Sequence, residues 1–517
     1  MAKRVTVFLM SVIFIMTAAL ALAQVSPSKI APTDNTYGIN YNNGSCIDRA
    51  PNGQVLCVWA TGDAYNKQVL WSIYDNDFLF WWTPQVLGNG NGDRTTPTVI
   101  ADDMNHFHAT WSDNYTLMYS QFDGTNWTTP TVVWNDTVDA NKNSIVIGSD
   151  GKIWIAWSTY RQADNVNEWL MICNSTDNGL TWNPPDTLAK DMHPGIISSY
   201  FCVPHLAAGP DGKIAVAYRE KDTNISAFYQ VFYQEYSGGT WTDAAMITDY
   251  ALTVDCYQAS IEYDSKGRLH CAFYTDEVDW PSVDLGQIYY TWKDEGGLWS
   301  APVAISHVAD GKADYPAIAI GDNDALYVTY LQNSPVSASG KLQVFAVTSD
   351  DRGTTWSDSA RISDGTVNMD LRSVSIGKHP RATGANFQGG ADLCWIEPDV
   401  SEPDGYSLHY GRIPWVETTG VASNNNPDVP TTFRLGQNYP NPFNPTTTIQ
   451  FDLKTAGHVE LTVYSLTGQQ VARLANEAMP AGYHRVQFDA TGFSSGIYMY
   501  KLTTDNFTAT RKMLLLQ

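Results

Sequence analysis

Cysteine pairs and long apolar runs are both scarce in this chain of 517 residues. None of the seven cysteines forms a Cys-x-x-Cys pair, so the spacing typical of zinc sites and thioredoxin-like redox motifs is missing. Beyond residue 23, no segment is long and apolar enough to cross a bilayer as a helix. The sequence therefore predicts no metal site built on cysteine, and no transmembrane segment once a leader is removed.

Basic residues are also few, with 31 Lys and Arg against 54 Asp and Glu and a formal net charge of −23. Such a chain repels phosphate backbones and anionic lipids, which argues against nucleic acid as a partner. No cofactor is predicted, although Asp-Gly turns at Asp150 and Asp211 leave calcium open. His106 and His108 share one strand face and are interpreted as blade residues rather than metal ligands.

The one long apolar run stands at the beginning. Lys3 and Arg4 precede a mostly apolar stretch over residues 5–22, and Ala21-Leu-Ala23 has the small residues of a cleavage site. The pattern predicts a signal peptide over residues 1–23, with an uncleaved anchor as the alternative.

A short strand pattern occurs seven times between residues 53 and 395, for example Gly151-Lys-Ile-Trp-Ile-Ala-Trp157. Each copy ends in an aromatic residue, and these are Trp59, Trp111, Trp157, Tyr218, Phe273, Tyr330 and Trp395. A repeat of this length made of strands and turns is typical of a β-propeller. The sequence predicts an all-β propeller over residues 24–415, with seven blades favoured over six. We expect the segment around Tyr37–Tyr41 to supply the outer strand that closes the ring.

A second repeat runs in phase with the first and ends in tryptophan. Two copies carry the full motif Ser-x-Asp-x-Gly-x-Thr-Trp; they comprise Ser175, Asp177, Gly179, Thr181 and Trp182, and Ser349, Asp351, Gly353, Thr355 and Trp356. We expect the Asp to accept backbone N–H groups, the Gly to take a positive φ and the Trp to cover a strand edge. The motif resembles the Asp-box, or BNR, repeat of the sialidase superfamily, in which these turns are structural and lie away from the active site.

Residues 416–432 are polar, carry two prolines and predict a linker. Short alternating strands between Gly, Asn and Pro turns then predict an immunoglobulin-like β-sandwich over residues 433–517. Its motifs Leu435-Gly-Gln-Asn-Tyr-Pro-Asn-Pro-Phe443, Leu466-Thr-Gly468 and Gly496-Ile-Tyr-Met-Tyr500 resemble the type A sorting domain of the type IX secretion system. The resemblance implies passage through the periplasm and across the outer membrane, with secretion machinery as partner and release or attachment at the cell surface. An ordinary accessory module of the same shape is the alternative.

Candidate catalytic residues follow from the sialidase resemblance, because that chemistry uses three arginines to bind a carboxylate and a Glu-activated Tyr nucleophile. Placed by inferred position, these are Arg161, Arg219, Glu220, Tyr257 and Arg372. The family's Arg-Ile-Pro motif, which belongs near the start of the catalytic domain, stands here only at Arg412–Pro414, at the far end of the propeller.

Two cysteines flank the predicted hairpin turn at residues 51–53, and we expect a disulfide between Cys46 and Cys57. The first functional hypothesis is an exported propeller that binds an extracellular glycan or another polymer. The alternatives are a sialidase-like glycoside hydrolase and a structural protein of the cell envelope.

Overall fold

The computed structural model describes residues 25–33, 39, 45–62, 67–75, 80–87, 94–114, 116–135, 139–160, 168–189, 202–220, 228–248, 255–279, 283–306, 312–333, 342–363, 374–380, 390–399, 401–402, 405–414, 416, 433–435, 438, 443–480, 482–504 and 507–516. The predicted signal peptide lies outside these residues, as does the predicted linker apart from residue 416. Arg161 and Arg372 also lie outside them.

Seven antiparallel sheets form the larger part of the described chain, and we call them blades 1 to 7. Strands are numbered in chain order. Blade 1 contains β2 (Ile47–Arg49), β3 (Val55–Thr61), β4 (Gln68–Asp75), β5 (Phe80–Trp81) and β6 (Gln85–Val86). Blade 2 contains β7 (Arg94–Ala101), β8 (Phe107–Asp113), β9 (Thr116–Phe122) and β10 (Thr131–Asn135). Blade 3 contains β11 (Asp139–Ile147), β12 (Ile153–Tyr160), β13 (Glu168–Ser175) and β14 (Asp186–Ala189).

The next three blades repeat this order. Blade 4 contains β15 (His205–Ala208), β16 (Ile214–Glu220), β17 (Gln230–Ser237), β18 (Thr240–Trp241) and β19 (Ala245–Met246), with a 3-10 turn at Pro210–Gly212. Blade 5 contains β20 (Asp255–Tyr263), β21 (Leu269–Asp279), β22 (Val283–Lys293) and β23 (Val303–Ala304). Blade 6 contains β24 (Ala313–Ile320), β25 (Leu326–Asn333), β26 (Leu342–Ser349) and β27 (Ala360–Arg361).

Blade 7 closes the ring by taking one strand from the beginning of the chain. It orders β28 (Val374–Ile376), β29 (Gly390–Pro398), β30 (Tyr406–Pro414) and, outermost, β1 (Val25–Thr33). The predicted outer strand around Tyr37–Tyr41 was therefore placed too late in the sequence. The prolines of β1 are tolerated because an outermost strand pairs along one edge only. The inner strand β2 of blade 1 contacts β28 and β29, so the first and last blades adjoin.

The core lies between the blades. The seven closing aromatics of the repeat stand on the second strand of their blades, and Trp59, Trp111, Trp157 and Trp395 are among the largest fully buried side chains. A strand that is packed on both faces of its sheet needs apolar residues on both faces. The sequence of each repeat is therefore an almost continuous apolar run.

The C-terminal part forms two further antiparallel sheets that share one apolar core. One sheet contains β31 (Arg434–Leu435), β32 (Thr446–Leu453) and β35 (Gly482–Asp489). The other contains β33 (Gly457–Ser465), β34 (Gln470–Met479), β36 (Gly496–Thr504) and β37 (Thr508–Leu515). Two sheets around one core make the sandwich predicted from the sequence.

The predicted Cys46–Cys57 disulfide is wrong, because both residues are buried free thiols. Ile47, not Cys46, is the residue opposite Cys57 in the hairpin. Cys46 is one residue out of register and therefore points to the other face of the sheet. Its Sγ lies 3.1 Å from the carbonyl oxygen of Pro97 in blade 2.

Candidate functional site

The two full Ser-x-Asp-x-Gly-x-Thr-Trp motifs form hydrogen-bonded turns between the third and fourth strands of blades 3 and 6. In the 175–182 turn, Asp177 accepts from the backbone N–H of Thr181 at 2.9 Å and from its hydroxyl at 2.5 Å. Gly179 has a φ of +79° and its N–H donates to the Ser175 hydroxyl at 2.8 Å. The 349–356 turn repeats these bonds. The Ser, Asp, Gly and Thr of each motif are thus hydrogen-bonded to one another within the turn, which fits a structural role.

Trp182 and Trp356 pack edge-on against tyrosines of the preceding blades, Tyr119 and Tyr290. The two histidines of blade 2 near Tyr119 also have hydrogen-bond partners. His108 contacts the Tyr119 hydroxyl at 2.6 Å and the Asp102 carboxylate at 3.3 Å, and His106 also contacts Asp102, at 3.0 Å. His108 therefore supports the packing of blade 2 against blade 3 through Tyr119, while His106, in the turn before β8, bonds within blade 2.

The opposite ends of the strands carry a cluster of aromatic rings around one arginine, which we call the Arg219 cluster. Arg219 stands near the end of β16, and its guanidinium carbon lies 5.0 Å from the ring centroid of Tyr229 and 4.6 Å from that of Tyr257. Tyr257 stacks on Tyr274 at 5.3 Å, and Tyr274 lies 5.9 Å from Tyr315. The rings form a continuous row from blade 4 across blade 5 to blade 6.

Exposure differs along the row. Arg219 is 6% exposed and Tyr274 is 7% exposed, whereas Tyr229, Tyr257 and Tyr315 are half-buried. A ligand would therefore meet the half-buried tyrosine rings, while the arginine holds them and contributes positive charge from beneath.

Tyr257 has a carboxylate partner, but it is Asp255 rather than the predicted Glu220. The Tyr257 hydroxyl donates to Asp255 at 3.0 Å, and the second Asp255 oxygen accepts from the backbone N–H of Tyr229 at 2.7 Å. Glu220 is the neighbour of Arg219 along β16, so strand alternation turns it to the face of Tyr218, toward blade 3. The structure thus brings Arg219 and Tyr257 together and directs Glu220 elsewhere.

Arg412, from the displaced Arg-Ile-Pro motif, is 4% exposed and lies inside the contact between blades 7 and 1. Its Nε is 3.7 Å from Asp392, which already pairs with Arg49. This arginine is a core residue of the ring closure.

The inner strands bulge at the end that carries the Arg219 cluster. Pairing shifts register in blades 2, 3, 5 and 6, and each shift contains a non-glycine residue with positive φ. These residues are Thr96 (51°), Lys142 (53°), Gln258 (39°) and Tyr315 (53°). Such strain costs about 1–3 kcal/mol per residue and is concentrated at functional sites. Neighbouring bulges are joined, since the Asn143 amide donates to the Thr96 carbonyl at 2.7 Å.

Lys378 crosses the central channel at the other end. It follows the inner strand of blade 7, and its ammonium donates to the Leu206 carbonyl of blade 4 at 2.6 Å and pairs with Glu262 of blade 5. Both partners belong to inner strands on the far side of the ring. A ligand therefore approaches the axis most directly from the end with the Arg219 cluster.

Several of these features were not anticipated from the sequence, above all Tyr229, Tyr274, the bulges and Lys378. For Tyr274, the sequence offers one signal, because it directly follows Phe273, the closing aromatic of the fifth repeat. No group of three or more His, Cys, Asp or Glu placed to hold a metal occurs among the residues that the structure describes. Within the same residues, no helix has the length and apolar character needed to span a membrane.

Comparison with known proteins identifies the C-terminal part. Residues 437–516 match the family described as the secretion system C-terminal sorting domain. This domain marks the protein for export by the type IX system to the cell surface or beyond it. No curated protein matches the chain.

Among solved structures, the chain is similar to a PL25 polysaccharide lyase, an ulvan lyase bound to -[GlcA(1-4)Rha3S]-. The TM-score is 0.52 at 12% identity, over 74% of this chain and 95% of that chain. It is also similar to the polysaccharide lyase Uly1, with a TM-score of 0.50 at 12% identity, over 75% of this chain and 99% of the other. At this identity the likeness concerns the fold alone.

Proposed function

We propose that this exported propeller binds an extracellular glycan or a similar polymer at the Arg219 cluster. The observation that carries the proposal is the row of tyrosines over Arg219, with three half-buried rings at one end of the channel. Aromatic rings with a few fixed polar groups are the usual lining of sites for neutral and charged small ligands. The positive charge of Arg219 beneath these rings favours a ligand with carboxylate or sulfate groups.

The strained bulges support the same face. Thr96 and Tyr315 hold a backbone conformation that their side chains disfavour, and the surrounding strands must enforce it. Bulges re-aim side chains, and the one in β24 directs Tyr315 onto Tyr274. The comparison structures that share the fold are polysaccharide lyases, which is consistent with a glycan as ligand.

A sialidase-like glycoside hydrolase is the second candidate. A tyrosine hydroxyl bonded to a carboxylate, with an arginine beside it, has the parts of an activated nucleophile. In this version Tyr257 is the nucleophile and Asp255 its base, while Glu220 takes no part. A structural role in the cell envelope is the third candidate, and it needs no ligand at this cluster.

The test is a glycan array probed with the full-length exported protein, using neutral, uronic-acid, sulfated and sialylated sugars. Retention without release of product supports binding. Release of sugar supports a hydrolase, and Tyr257→Phe then separates the roles because it removes the hydroxyl and keeps the ring. Silence on every sugar overturns the glycan proposal and favours the structural role.

A further inference from the structure

Blades 3 and 4 meet differently from blades 2 and 3 or blades 5 and 6. The second strand of blade 3 carries Trp154 three residues before its closing aromatic, where blades 2 and 5 carry His108 and His270. The residue whose backbone N–H bonds back across the first hairpin turn is Gly148 in blade 3, and it is an aspartate in blades 2 and 5. Glycine and tryptophan thus replace the aspartate and histidine of those two blades.

The turn of blade 4 at this junction is correspondingly short. Only Gly238 and Gly239 connect β17 to β18, with φ values of +61° and +94°, whereas the longer 175–182 turn stands at the same place in blade 3. Two residues of positive φ make a tight hairpin turn. A Cβ on either glycine would meet no atom within 4 Å. The short turn therefore leaves open space beside it.

This space is a cleft between blades 3 and 4, which we call the 3/4 cleft. Its volume is about 720 Å³, within the usual range for a small-ligand site. It is lined from blade 3 by Ser149, Asp150 and Lys152, and from blade 4 by Pro210–Gly212, Tyr236, Gly238 and Gly239. The cleft lies on the face that carries the 175–182 and 349–356 turns, so it is separate from the Arg219 cluster at the opposite ends of the strands.

Tyr236 forms an aromatic wall of the 3/4 cleft. Its ring centroid lies 4.8 Å from that of Trp154 and 5.4 Å from that of Trp241, so two tryptophans hold the ring in place. Trp154 is buried, whereas Tyr236 is half-buried and lines the cleft. A ring held in this way offers contact area to a ligand at little cost in conformational entropy.

Polar groups surround this tyrosine. The Lys152 ammonium lies 2.6 Å from the Asp150 carboxylate, and the Ser149 hydroxyl accepts from the backbone N–H of Gly212 at 2.8 Å, which joins the two blades. Asp211 is exposed and has a φ of +58°. Two carboxylates and one ammonium can accept from and donate to hydroxyl groups. Their excess of negative charge disfavours an anionic ligand.

We propose that the 3/4 cleft is a second saccharide site, which binds an uncharged hexose unit. A pyranose has one face of C–H groups and a rim of hydroxyls. The Tyr236 ring suits the first, and the Asp150, Asp211 and Lys152 side chains suit the second. The ligand class thus differs from that of the Arg219 cluster, where positive charge favours acidic sugars. The proposal does not depend on binding at that cluster.

The test is a calorimetric titration of the full-length protein with three neutral oligosaccharides, cellohexaose, mannohexaose and laminarihexaose. At least one should bind, and Tyr236→Ala should lower its affinity about tenfold or more. Tyr74→Ala is the matched control, because Tyr74 holds the same register position in blade 1, is half-buried and packs on two aromatic rings. The control should keep the wild-type affinity. Binding of none of the three sugars, or equal losses in both variants, overturns the proposal.

A surface variant removes the risk that Tyr236→Ala fails to fold. Asp211→Asn keeps the size of the side chain and tolerates the positive φ, but it removes the charge that strengthens a hydrogen bond from a hydroxyl. It should weaken binding of the neutral sugar at an unchanged melting temperature. Unchanged affinity contradicts the site.

Arg219→Ala separates this proposal from the function proposed above. It should leave the affinity for the neutral sugar unchanged, and Tyr236→Ala should leave the retention of acidic sugars unchanged. A loss of neutral-sugar binding in Arg219→Ala overturns the second site, because the sugar then occupies the Arg219 cluster.

Discussion

The Tyr119 hydroxyl of blade 2 donates to the carbonyl oxygen of Asn178 in blade 3, at 3.2 Å. Tyr290 of blade 5 makes the same bond to Arg352 of blade 6, at 3.3 Å. Behind each tyrosine stand a histidine and an aspartate, His108 with Asp102 and His270 with Asp264. Within the described residues, one Asp–His–Tyr hydrogen-bonded arrangement thus occurs twice, each copy ending on the 175–182 or the 349–356 turn of the next blade.

The glycine of each turn is required by this contact. A Cβ on Gly179 would lie 2.0 Å from Cε1 of Tyr119, whereas a Cβ on Gly124 would meet nothing within 4 Å, although both glycines have positive φ. We predict that Gly124→Ala costs about 1–2 kcal/mol from backbone strain. Gly179→Ala should cost a further ~1–3 kcal/mol from overpacking. Urea unfolding measures both, and equal losses would contradict the contact.

The second Asp–His–Tyr arrangement predicts a pH dependence of stability. Burial lowers the pKa of His270 below its usual value, and the His270 and Arg352 contacts hold the pKa of Asp264 well below its usual range. The folded pKa of His270 thus lies below the unfolded value, which is near 6.5 for histidine. Its contribution to stability is fully present above the unfolded pKa and is lost as pH falls from that value through the folded pKa. We expect the free energy of unfolding to decrease from pH 7 to pH 5.

His270→Gln tests this origin, because an amide can bond to Tyr290 and Asp264 without titrating. Its slope between pH 7 and 5 should be shallower than that of the wild type. His458→Gln, at an exposed site in the C-terminal domain, is the control and should leave the slope of the propeller transition unchanged. An unaltered slope in His270→Gln would assign the pH dependence to other groups.

The ion pair at the ring closure predicts an asymmetry between single and double variants. Arg49→Met leaves Asp392 with only Arg412 as a nearby cation, and Asp392→Leu leaves both arginines without this carboxylate, so each should cost about 3–5 kcal/mol. Arg49→Met combined with Asp392→Leu should cost less than the sum of the two, since only the buried Arg412 then loses its counterion. Lys152→Met breaks the half-exposed pair with Asp150 and should cost less than about 1 kcal/mol. Chemical denaturation of the four variants decides, and additive losses would contradict the pairing.

The blade repeat could be predicted from the sequence because each second strand is buried on both faces and contains the aromatic residue that closes the repeat pattern. The strand that closes the ring could not, since β1 is an outermost strand with prolines at 27 and 32 and little alternation. Strand parity explains the two errors of pairing. Cys46 is next to Ile47, which lies opposite Cys57, and Glu220 is next to Arg219, which contacts Tyr257. Because neighbouring side chains of a strand point to opposite faces, Cys46 and Glu220 point away from the expected partners.

The Arg219 cluster could not be predicted from the sequence for a different reason. Tyr229, Tyr257 and Tyr315 come from three blades, and only ring packing brings them together. The sequence placed Arg219 and Tyr257 at the same end of the propeller, because one ends a second strand and the other begins an inner strand. It gave no means of choosing Asp255 over Glu220 as the partner of Tyr257.

The most direct test of the proposed binding face compares two arginines that lie over aromatic rings at opposite ends of blades 4 and 5. Arg219 lies over Tyr229 and Tyr257, and Arg268 lies 3.8 Å from the ring centroid of Trp292. We would measure the affinity of Arg219→Ala and Arg268→Ala for the sugar that the array retains best, alongside their melting temperatures. Binding at the Arg219 cluster predicts at least a tenfold loss of affinity, about 1.4 kcal/mol, in Arg219→Ala only. Equal affinities, or a loss confined to Arg268→Ala, would contradict it.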